Sequence, residues 1–273
     1  MMKKKKKLKK EKINLKTKKE NETKKRFKLM LILFLIIGTL LICFPIFKNT
    51  ITIIKIKNTK ITQVENMPEP KPNERIDFPT VEDYLTASTD NLEDAVGQLM
   101  IESVGISVPI FLGVHYQEML FGVGFMHPDR HFEKDNIVLL GHHLGIENLL
   151  LGKIAKIEVN DLIKVQFLDK IYQYKIVNKK IVLEDQLEVL DNTATPQLTI
   201  ITCDKPYLTD KRIIVTAEPV KEKRTEAVKN EEKNEFYQNM KAIRKSFVKY
   251  SVVPIVISLI ALILSGYCIW KYV

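Results

Sequence analysis

Two long stretches without a charged residue bracket the middle of this chain. They cover residues 29–47 and 252–270, nineteen residues each. Because a helix rises about 1.5 Å per residue, each is roughly long enough to cross the hydrocarbon core of a bilayer. The pattern predicts two transmembrane helices, and it confines a folded domain to the segment between them.

A cleaved signal peptide is the alternative interpretation of the first stretch. Its apolar core is longer than that of a typical signal peptide, and no small-x-small cleavage site follows it, since the chain continues as Phe44-Pro45-Ile46-Phe47-Lys48. These two features favour an anchor that stays attached to the chain.

The basic residues are concentrated at the N-terminus. Residues 1–28 contain fifteen Lys or Arg and three Glu, whereas the whole chain has a formal net charge of +10, so the remainder is slightly acidic. A solvated basic leader does not form one face of a fold, which argues against nucleic-acid binding. By the positive-inside rule both termini are expected in the cytoplasm, with the segment between the two stretches on the extracellular face of the cell membrane.

A second basic group precedes the second stretch on this predicted outer side. It opposes the predicted topology and is either a collar that contacts membrane lipid or cell-wall polymer, or an ordinary solvated helix end. Its members are Lys241, Arg244, Lys245 and Lys249.

Between the two apolar stretches the pattern is mainly that of short strands. Some alternate apolar and polar residues, and others are continuously apolar, as central strands are. Helices are predicted at 80–99, interrupted near 88–91, and at 146–156. Many short strands with few helices indicate a mainly β fold, a closed eight-stranded β-barrel with short helices, flanked by the two transmembrane helices. The predicted strands are 99–103, 107–111, 136–140, 162–168, 171–177, 180–183, 197–203 and 211–218.

These predictions divide the chain into six segments. They are a basic cytoplasmic leader (1–28), a transmembrane anchor (29–47), a stalk with a Pro-rich linker (48–79), the barrel with its N-terminal helix (80–220), a charged helical connector (221–250) and a second transmembrane helix (251–271).

Cys203 is the only cysteine outside the two apolar stretches, and it ends an apolar strand. Exported domains usually pair their cysteines, so a single thiol is a candidate nucleophile, although an inert buried cysteine fits the count equally well. His142 ends another apolar strand and Arg212 begins a third. These residue types suggest a nucleophile, its proton partner and a charge clamp, provided that the fold brings them together.

Three motifs carry a resemblance to a known family. Thr199-Ile200-Ile201-Thr202-Cys203 resembles the Thr-Leu-x-Thr-Cys signature of sortases, the membrane-anchored cysteine transpeptidases of Gram-positive bacteria. The other two are similar to the Gly-His segment of sortases and to the strand that carries their essential arginine. They read Leu140-Gly141-His142-His143 and Lys211-Arg212-Ile213-Ile214-Val215, and the resemblance covers residues 97–219.

The resemblance implies a role for each matching residue. Cys203 resembles the nucleophile, His142 the general acid and base, and Arg212 the clamp for the substrate and the oxyanion. Thr202 resembles the neighbouring residue that helps to seat the sorting signal. The segment 179–196 corresponds to the wall of the substrate groove. Its apolar residues are candidates for the substrate pocket, or are simply core: Val182, Leu183, Leu187, Val189 and Leu190.

The same resemblance implies the reaction. Sortases cleave a Leu-Pro-x-Thr-Gly-like signal at the C-terminus of a surface protein between Thr and Gly and hold the acyl group as a thioester. They pass it to an amine of a lipid II-like cell-wall precursor, and no cofactor is expected. The motifs most resemble class A, the anchoring enzymes. A second transmembrane helix is commoner in class C, which polymerises pilins, but the class C lid motif Asp-Pro-aromatic is replaced here by Asp77-Phe78-Pro79.

Two other functions are disfavoured. The spacing of His127, His131, His142 and His143 lacks a hydrolytic zinc motif, and adjacent histidines on a strand point to opposite faces. A calcium site like that of some class A sortases would place His127, Arg130 and Lys134 at its ligand positions, and these are poor oxygen ligands, so no metal is expected. A non-catalytic binding module would have lost Cys203, His142 or Arg212, and all three are present.

Overall fold

The structure is a computed structural model. It describes residues 21–44, 69, 71–75, 77–80, 83, 92–144, 149–193, 195–220 and 226–272, without the side chains of 187, 226–232, 240 and 242–251. The chain divides into two compact units, one of Met1–Phe47 with Ser251–Val273 and one of Lys48–Tyr250. The elements in chain order are α1 (Asn21–Phe44), β1 (Gly97–Ile101), β2 (Ile106–Leu112), α2 (Tyr116–Met119), β3 (Val123–Phe125), β4 (Asn136–Gly141), β5 (Leu162–Phe167), β6 (Lys170–Leu183), β7 (Gln197–Cys203), β8 (Lys211–Pro219) and α3 (Glu226–Tyr272).

The first unit contains the two apolar helical segments. Asn21–Phe44 and Val252–Tyr272 are long enough and apolar enough to cross a membrane, with mean hydropathy of 2.7 and 2.5. Their large apolar side chains, among them Leu33, Leu41 and Ile263, are mostly exposed within the protein. Helices with exposed apolar side chains are typical of segments that lie in lipid, so this unit is consistent with membrane anchoring.

The second unit is built on a closed barrel with the strand order β1-β2-β3-β4-β7-β8-β6-β5. Most neighbouring strands are antiparallel, but β2 with β3 and β4 with β7 are parallel. Closure leaves no free sheet edge, which explains how such short strands form a stable domain. The predicted mainly β, closed eight-stranded barrel is confirmed.

The barrel interior is filled by apolar side chains from alternate positions of the strands. On β4 these are Ile137 and Leu139, and on β7 they are Leu198 and Ile200, all fully buried. The intervening residues Val138 and Ile201 belong to a different cluster on the outer face of the barrel. The continuously apolar runs of the sequence therefore mark strands that are covered on both faces.

Two strand assignments differ from the sequence prediction, although the total of eight is the same. The segment 123–125 forms β3, which is too short to show the alternation of apolar and polar residues that indicates a strand. The predicted strands 171–177 and 180–183 form one continuous strand, β6. An irregularity between Ile176 and Asn178 shifts its register against β8, and the sequence pattern therefore resembles two separate strands. A bulge of this kind reverses the alternation of faces without ending the strand.

The predicted helices differ as well. The prediction for 80–99 lies largely outside the described residues, and from residue 92 the chain is extended and enters β1 at Gly97. In place of a helix over 146–156 the described part shows turns and a short 3-10 segment, Ile154–Lys156. Leu151, Ile154 and Ile157 of this segment are buried in the core, so their apolar character reflects packing rather than a helical face.

Candidate active site

Three strands bring their chemically important ends to the same rim of the barrel. Because β4 and β7 are parallel neighbours, their C-terminal ends lie side by side, and β8, antiparallel to β7, starts at that rim. His142 directly follows β4, Cys203 is the last residue of β7, and Arg212 is the second residue of β8. The topology therefore collects all three residues from distant parts of the sequence.

The strand register aligns these residues. The last pair of the β4–β7 ladder is Leu140 with Ile201, so His142 and Cys203 each lie two residues beyond it. In the β7–β8 ladder Cys203 and Arg212 are direct partners. Direct cross-strand partners share a face of the sheet, so the thiol and the guanidinium group lie on one side of it.

That side is the outer face of the barrel. With a period of two, Cys203 shares the face of Ile201, which packs on Val138 and Ile214 outside the interior core. We call this packing the outer cluster, and its partly buried members are Met126, Leu140, Val182, Val189 and Leu190. The site therefore lies at the end of an apolar outer surface.

The thiol of Cys203 is not reactive by itself. It is a free, half-buried cysteine. Burial raises the pKa of Cys203, while the positive charge of Arg212 acts in the opposite direction and lowers it. At neutral pH the thiol is therefore mostly protonated, and attack on a carbonyl carbon requires a neighbouring base.

His142 has the properties of such a base. Its side chain is buried, and burial lowers its pKa from the ordinary 6.5 to about 4, so the imidazole is neutral at pH 7. Its Nε2 atom has no hydrogen-bond partner among the described residues. A neutral imidazole with a free ring nitrogen is able to accept a proton.

The adjacent residue, His143, fixes the end of β7. Its Nδ1 atom donates to the main-chain carbonyl oxygen of Cys203 at 3.1 Å, and the ring is buried. The sequence did not predict this contact, because it joins residues sixty positions apart. His143 therefore holds the strand end that carries Cys203 next to the segment that carries His142.

Arg212 is held by three hydrogen bonds. Nη1 donates to the carbonyl oxygens of Thr209, at 2.6 Å, and Lys211, at 3.0 Å. Nη2 donates to Glu184 Oε2 at 2.5 Å, a residue that follows β6 directly and that the sequence did not single out. A guanidinium group has five N–H donors, so two have no partner among the described residues and are available to a substrate or an oxyanion.

A segment upstream of the barrel reaches the same site. Asn73 accepts a hydrogen bond from the main-chain nitrogen of Val114 at 2.8 Å and donates to the carbonyl oxygen of Met126 at 3.0 Å. Further along, the ring of Phe78 meets the imidazole of His142 edge-on, with centroids 6.5 Å apart. The part of the Pro-rich linker that the structure describes thus lies along the barrel and shields the histidine.

The predicted substrate residues fall into distinct environments. Val182 and Leu190 pack against the outer cluster, as does Val189. Leu183 is exposed, and the side chain of Leu187 lies outside the description. Thr202 is 1% exposed and alternates with Cys203, so its side chain faces away from the outer surface, and its role in seating the sorting signal stays a prediction.

The described ranges contain no group of three His, Cys, Asp or Glu residues that is able to hold a metal ion. At the positions compared with a calcium site, Arg130 donates through Nη1 to the carbonyl oxygen of Asn136 at 2.9 Å. A cation in that place opposes calcium binding, and the expected independence of calcium stays a prediction.

Comparison with known proteins identifies the family. Residues 99–220 match the family model of the sortase domain. The chain is 32% identical over 212 residues to sortase A of Listeria monocytogenes, covering 74% of this chain and 94% of that protein. The chain belongs to the sortase family. It is therefore a transpeptidase of the kind that acts on proteins with sorting signals and on cell-wall precursors, and the family prediction is confirmed.

Two other comparisons also found similar proteins. The sortase is 25% identical over 146 residues to sortase A of Bacillus anthracis, covering 54% of this chain and 69% of that one. The crystal structure of Listeria monocytogenes sortase A is similar to 50% of this chain and 95% of its own, with 35% identity and a TM-score of 0.47.

Proposed function

We propose that this sortase is a cysteine transpeptidase that cleaves a Leu-Pro-x-Thr-Gly-like signal between Thr and Gly. Cys203 is the nucleophile, His142 the general base and acid, and Arg212 the oxyanion and substrate clamp. The observation that supports this assignment is the common rim, where the ends of β4 and β7 and the start of β8 meet.

In the first half-reaction His142 takes the proton from the Cys203 thiol, and the sulfur attacks the carbonyl carbon of the substrate Thr. The two donors of Arg212 that remain free stabilise the negative charge on the carbonyl oxygen. The bond between Thr and Gly then breaks, and His142 returns the proton to the departing Gly amine. The products are a thioester on Cys203 and a free C-terminal fragment.

In the second half-reaction an amine of a lipid II-like precursor attacks the thioester. His142 accepts the proton of the amine and returns it to the sulfur, so the enzyme leaves the cycle unchanged and the surface protein is joined through a new amide bond. Water competes with the amine, and the shielding of His142 by Phe78 supports a site that limits this competition.

The cellular setting that we propose is a two-pass membrane protein with both termini in the cytoplasm and the barrel on the extracellular face. The basic leader supports this orientation. A second support lies inside the helical unit, where Lys28 Nζ donates to the carbonyl oxygen of Trp270 at 2.9 Å. This contact brings the start of one apolar segment next to the end of the other, as a hairpin of two spans requires.

The substrates that fit this setting are surface proteins that are anchored one at a time to the wall precursor. A pilin-polymerising sortase of class C is the second candidate, and the apolar segment Val252–Tyr272 favours it, because a C-terminal span is commoner in that class. The acceptor distinguishes the two: a precursor amine for anchoring, and a lysine of another pilin subunit for polymerisation.

The test uses the full chain in detergent micelles with a Leu-Pro-Ala-Thr-Gly peptide, with and without hydroxylamine. Intact-mass spectrometry is expected to show a thioester adduct and product cut after Thr, both absent in Cys203→Ala and greatly reduced in His142→Ala and Arg212→Ala. A folded wild-type chain that gives neither adduct nor cleavage with a panel of sorting peptides would contradict the proposal.

A further inference from the structure

A polar cavity lies on the outer face of the barrel, and it extends from Thr199 on β7 to Val182 on β6, which belongs to the outer cluster. It has a volume of about 270 Å³ and lies between the sheet and the connection from β6 to β7, partly open to solvent. Its lining comes from β4, β6, β7, β8 and that connection: Asn136, Asn178, Lys180, Val182, Gln186, Glu188, Val189, Asp191, Thr193, Gln197, Thr199 and Thr216.

The cavity continues the surface that begins at Cys203. Thr199 lies two residues before Ile201 on β7, and Asn136 lies two residues before Val138 on β4, so both share the face of the outer cluster. Along β7 the order from the rim is therefore Cys203, the apolar Ile201 and then the polar Thr199. At about 3.3 Å per residue, Thr199 is ~13 Å from the thiol.

This distance matches the length of the signal. The four residues Leu-Pro-x-Thr, extended from the thioester, span at most about 14 Å. Their apolar members therefore fall over the outer cluster, and the polypeptide that precedes the Leu reaches the level of Thr199. The Thr199 end of the cavity therefore lies where the residues upstream of the sorting signal leave the groove.

The polar side chains at the floor of the cavity already have hydrogen-bond partners. Asn136 Nδ2 donates to the carbonyl oxygens of Asp191 at 2.9 Å and Val189 at 3.3 Å, and its Oδ1 accepts from Thr199 Oγ1 at 2.8 Å. These bonds tie the connection to the sheet. The cavity shape is therefore held by a network of hydrogen bonds rather than by a free loop.

The wall of the cavity, in contrast, has unused polar groups. Among the described residues the side chains of Lys180, Glu188 and Asp191 have no hydrogen-bond or ion-pair partner. Two carboxylates and one ammonium group give this wall a net negative charge. A cationic side chain of an extended peptide is therefore the complementary ligand.

We propose that this cavity binds the two residues of the substrate that precede the sorting motif and that it prefers lysine over glutamate there. The inference rests on the proposed function, because the position of the cavity is meaningful only if the acyl part of the signal lies along the outer cluster. It adds a site for residues outside the five-residue signal.

The test measures binding without catalysis. The full chain with Cys203→Ala, in non-ionic detergent, is titrated into three fluorescent peptides that share Leu-Pro-Ala-Thr-Gly and differ only in the preceding pair, Lys-Lys, Ala-Ala or Glu-Glu. We expect the Lys-Lys peptide to bind about fivefold more tightly than Ala-Ala and Glu-Glu to bind more weakly. The basic leader attracts the Glu-Glu peptide, whereas the remainder of the chain is slightly acidic, so a variant that changes charge outside the cavity is needed to control for unspecific attraction.

Variants locate the effect. Glu188→Gln is expected to reduce the preference for Lys-Lys to within twofold, whereas Glu218→Gln is the matched control, an exposed acid on β8 outside the cavity, and keeps it. Equal affinity for the three peptides, no measurable binding of any, or a preference that persists in a Glu188→Gln, Asp191→Asn double variant would overturn the proposal. Cleavage of the Ala-Ala peptide by the wild-type chain separately tests the proposed function.

Discussion

Arg212 is fixed by Glu184, whose Oε2 accepts from its Nη2 at 2.5 Å. Glu184 is itself anchored, since its main-chain nitrogen donates to the carbonyl oxygen of Asp210 at 2.8 Å. The guanidinium group opposite Cys203 is thus oriented by the residue that directly follows β6. The pair is partly exposed, so its importance lies in the direction of the guanidinium group rather than in stability.

Removing this carboxylate is expected to slow catalysis without unfolding the barrel. In Glu184→Ala the guanidinium group loses one of its three fixed contacts, and kcat/KM for peptide cleavage should fall about tenfold, ~1.4 kcal/mol of transition-state stabilisation. Glu184→Gln keeps an acceptor and should recover part of this loss. Asp185→Ala, at the next exposed residue, is the control, and equal losses in both would disprove the positioning role.

The shielding of His142 predicts a pH effect. Because burial lowers its pKa to about 4, Phe78→Ala should admit water and raise that pKa towards the ordinary 6.5. NMR titration of the imidazole protons in the full chain measures this directly. Tyr207→Ala, which removes an exposed aromatic residue, should leave the titration unchanged. An unaltered midpoint in Phe78→Ala would show that other groups bury the ring.

The same shift affects stability. Between pH 6.5 and about 4 the imidazole of His142 binds a proton in the unfolded chain but stays neutral in the folded chain. Protonation therefore favours the unfolded chain as the pH falls from 6.5 towards 4, and it has no such effect above pH 6.5. The free energy of unfolding should therefore decrease as the pH falls from 6.5 to 4. Urea titrations at several pH values measure this decrease, and it should be smaller in Phe78→Ala.

The protonation of Cys203 predicts its alkylation rate. Because burial raises its pKa, the rate with iodoacetamide should be low at pH 7 and increase nearly tenfold per pH unit up to pH 9. Arg212→Ala removes the opposing positive charge, so the reaction should be slower at each of these pH values. Lys211→Ala, at the adjacent exposed lysine, is the control. A pH-independent rate would indicate a thiolate already formed at neutral pH.

Gly141 lies where the barrel has no room for a side chain. A Cβ atom there would be 2.7 Å from Leu151 Cδ1 and 2.8 Å from Val123 Cγ1. Gly141→Ala is therefore expected to reduce the free energy of unfolding by about 1–3 kcal/mol and to displace the adjacent His142. Circular dichroism during urea titration measures the first effect. Val159→Ala, at an exposed turn residue, should change the free energy little.

The sequence predicted the barrel and the candidate residues because both depend on local patterns. Cys203, His142 and Arg212 stand at the ends of apolar runs, and a run that is covered on both faces is recognisable without knowing its partners. The buried orientation of Thr202 follows from the same alternation, since it separates the outward-facing Ile201 and Cys203.

The contacts that orient the site were not predictable in this way. His143 reaches the main chain of Cys203, and Glu184 reaches Arg212, across sixty and twenty-eight residues. Neither contact has a local signal, because each depends on which strands become neighbours. The irregularity after Ile176 has the same origin, since it is defined only against the register of β8.

The parallel pairing of β4 with β7 also determines when the chain becomes chemically competent. Contacts between residues so far apart in sequence form late, after the intervening chain has closed a long loop. In a partly synthesised or unfolded chain the thiol of Cys203 is therefore distant from the imidazole of His142. The arrangement of Cys203, His142 and Arg212 at one rim exists only once these strands have paired, so any chemistry that depends on it begins after folding.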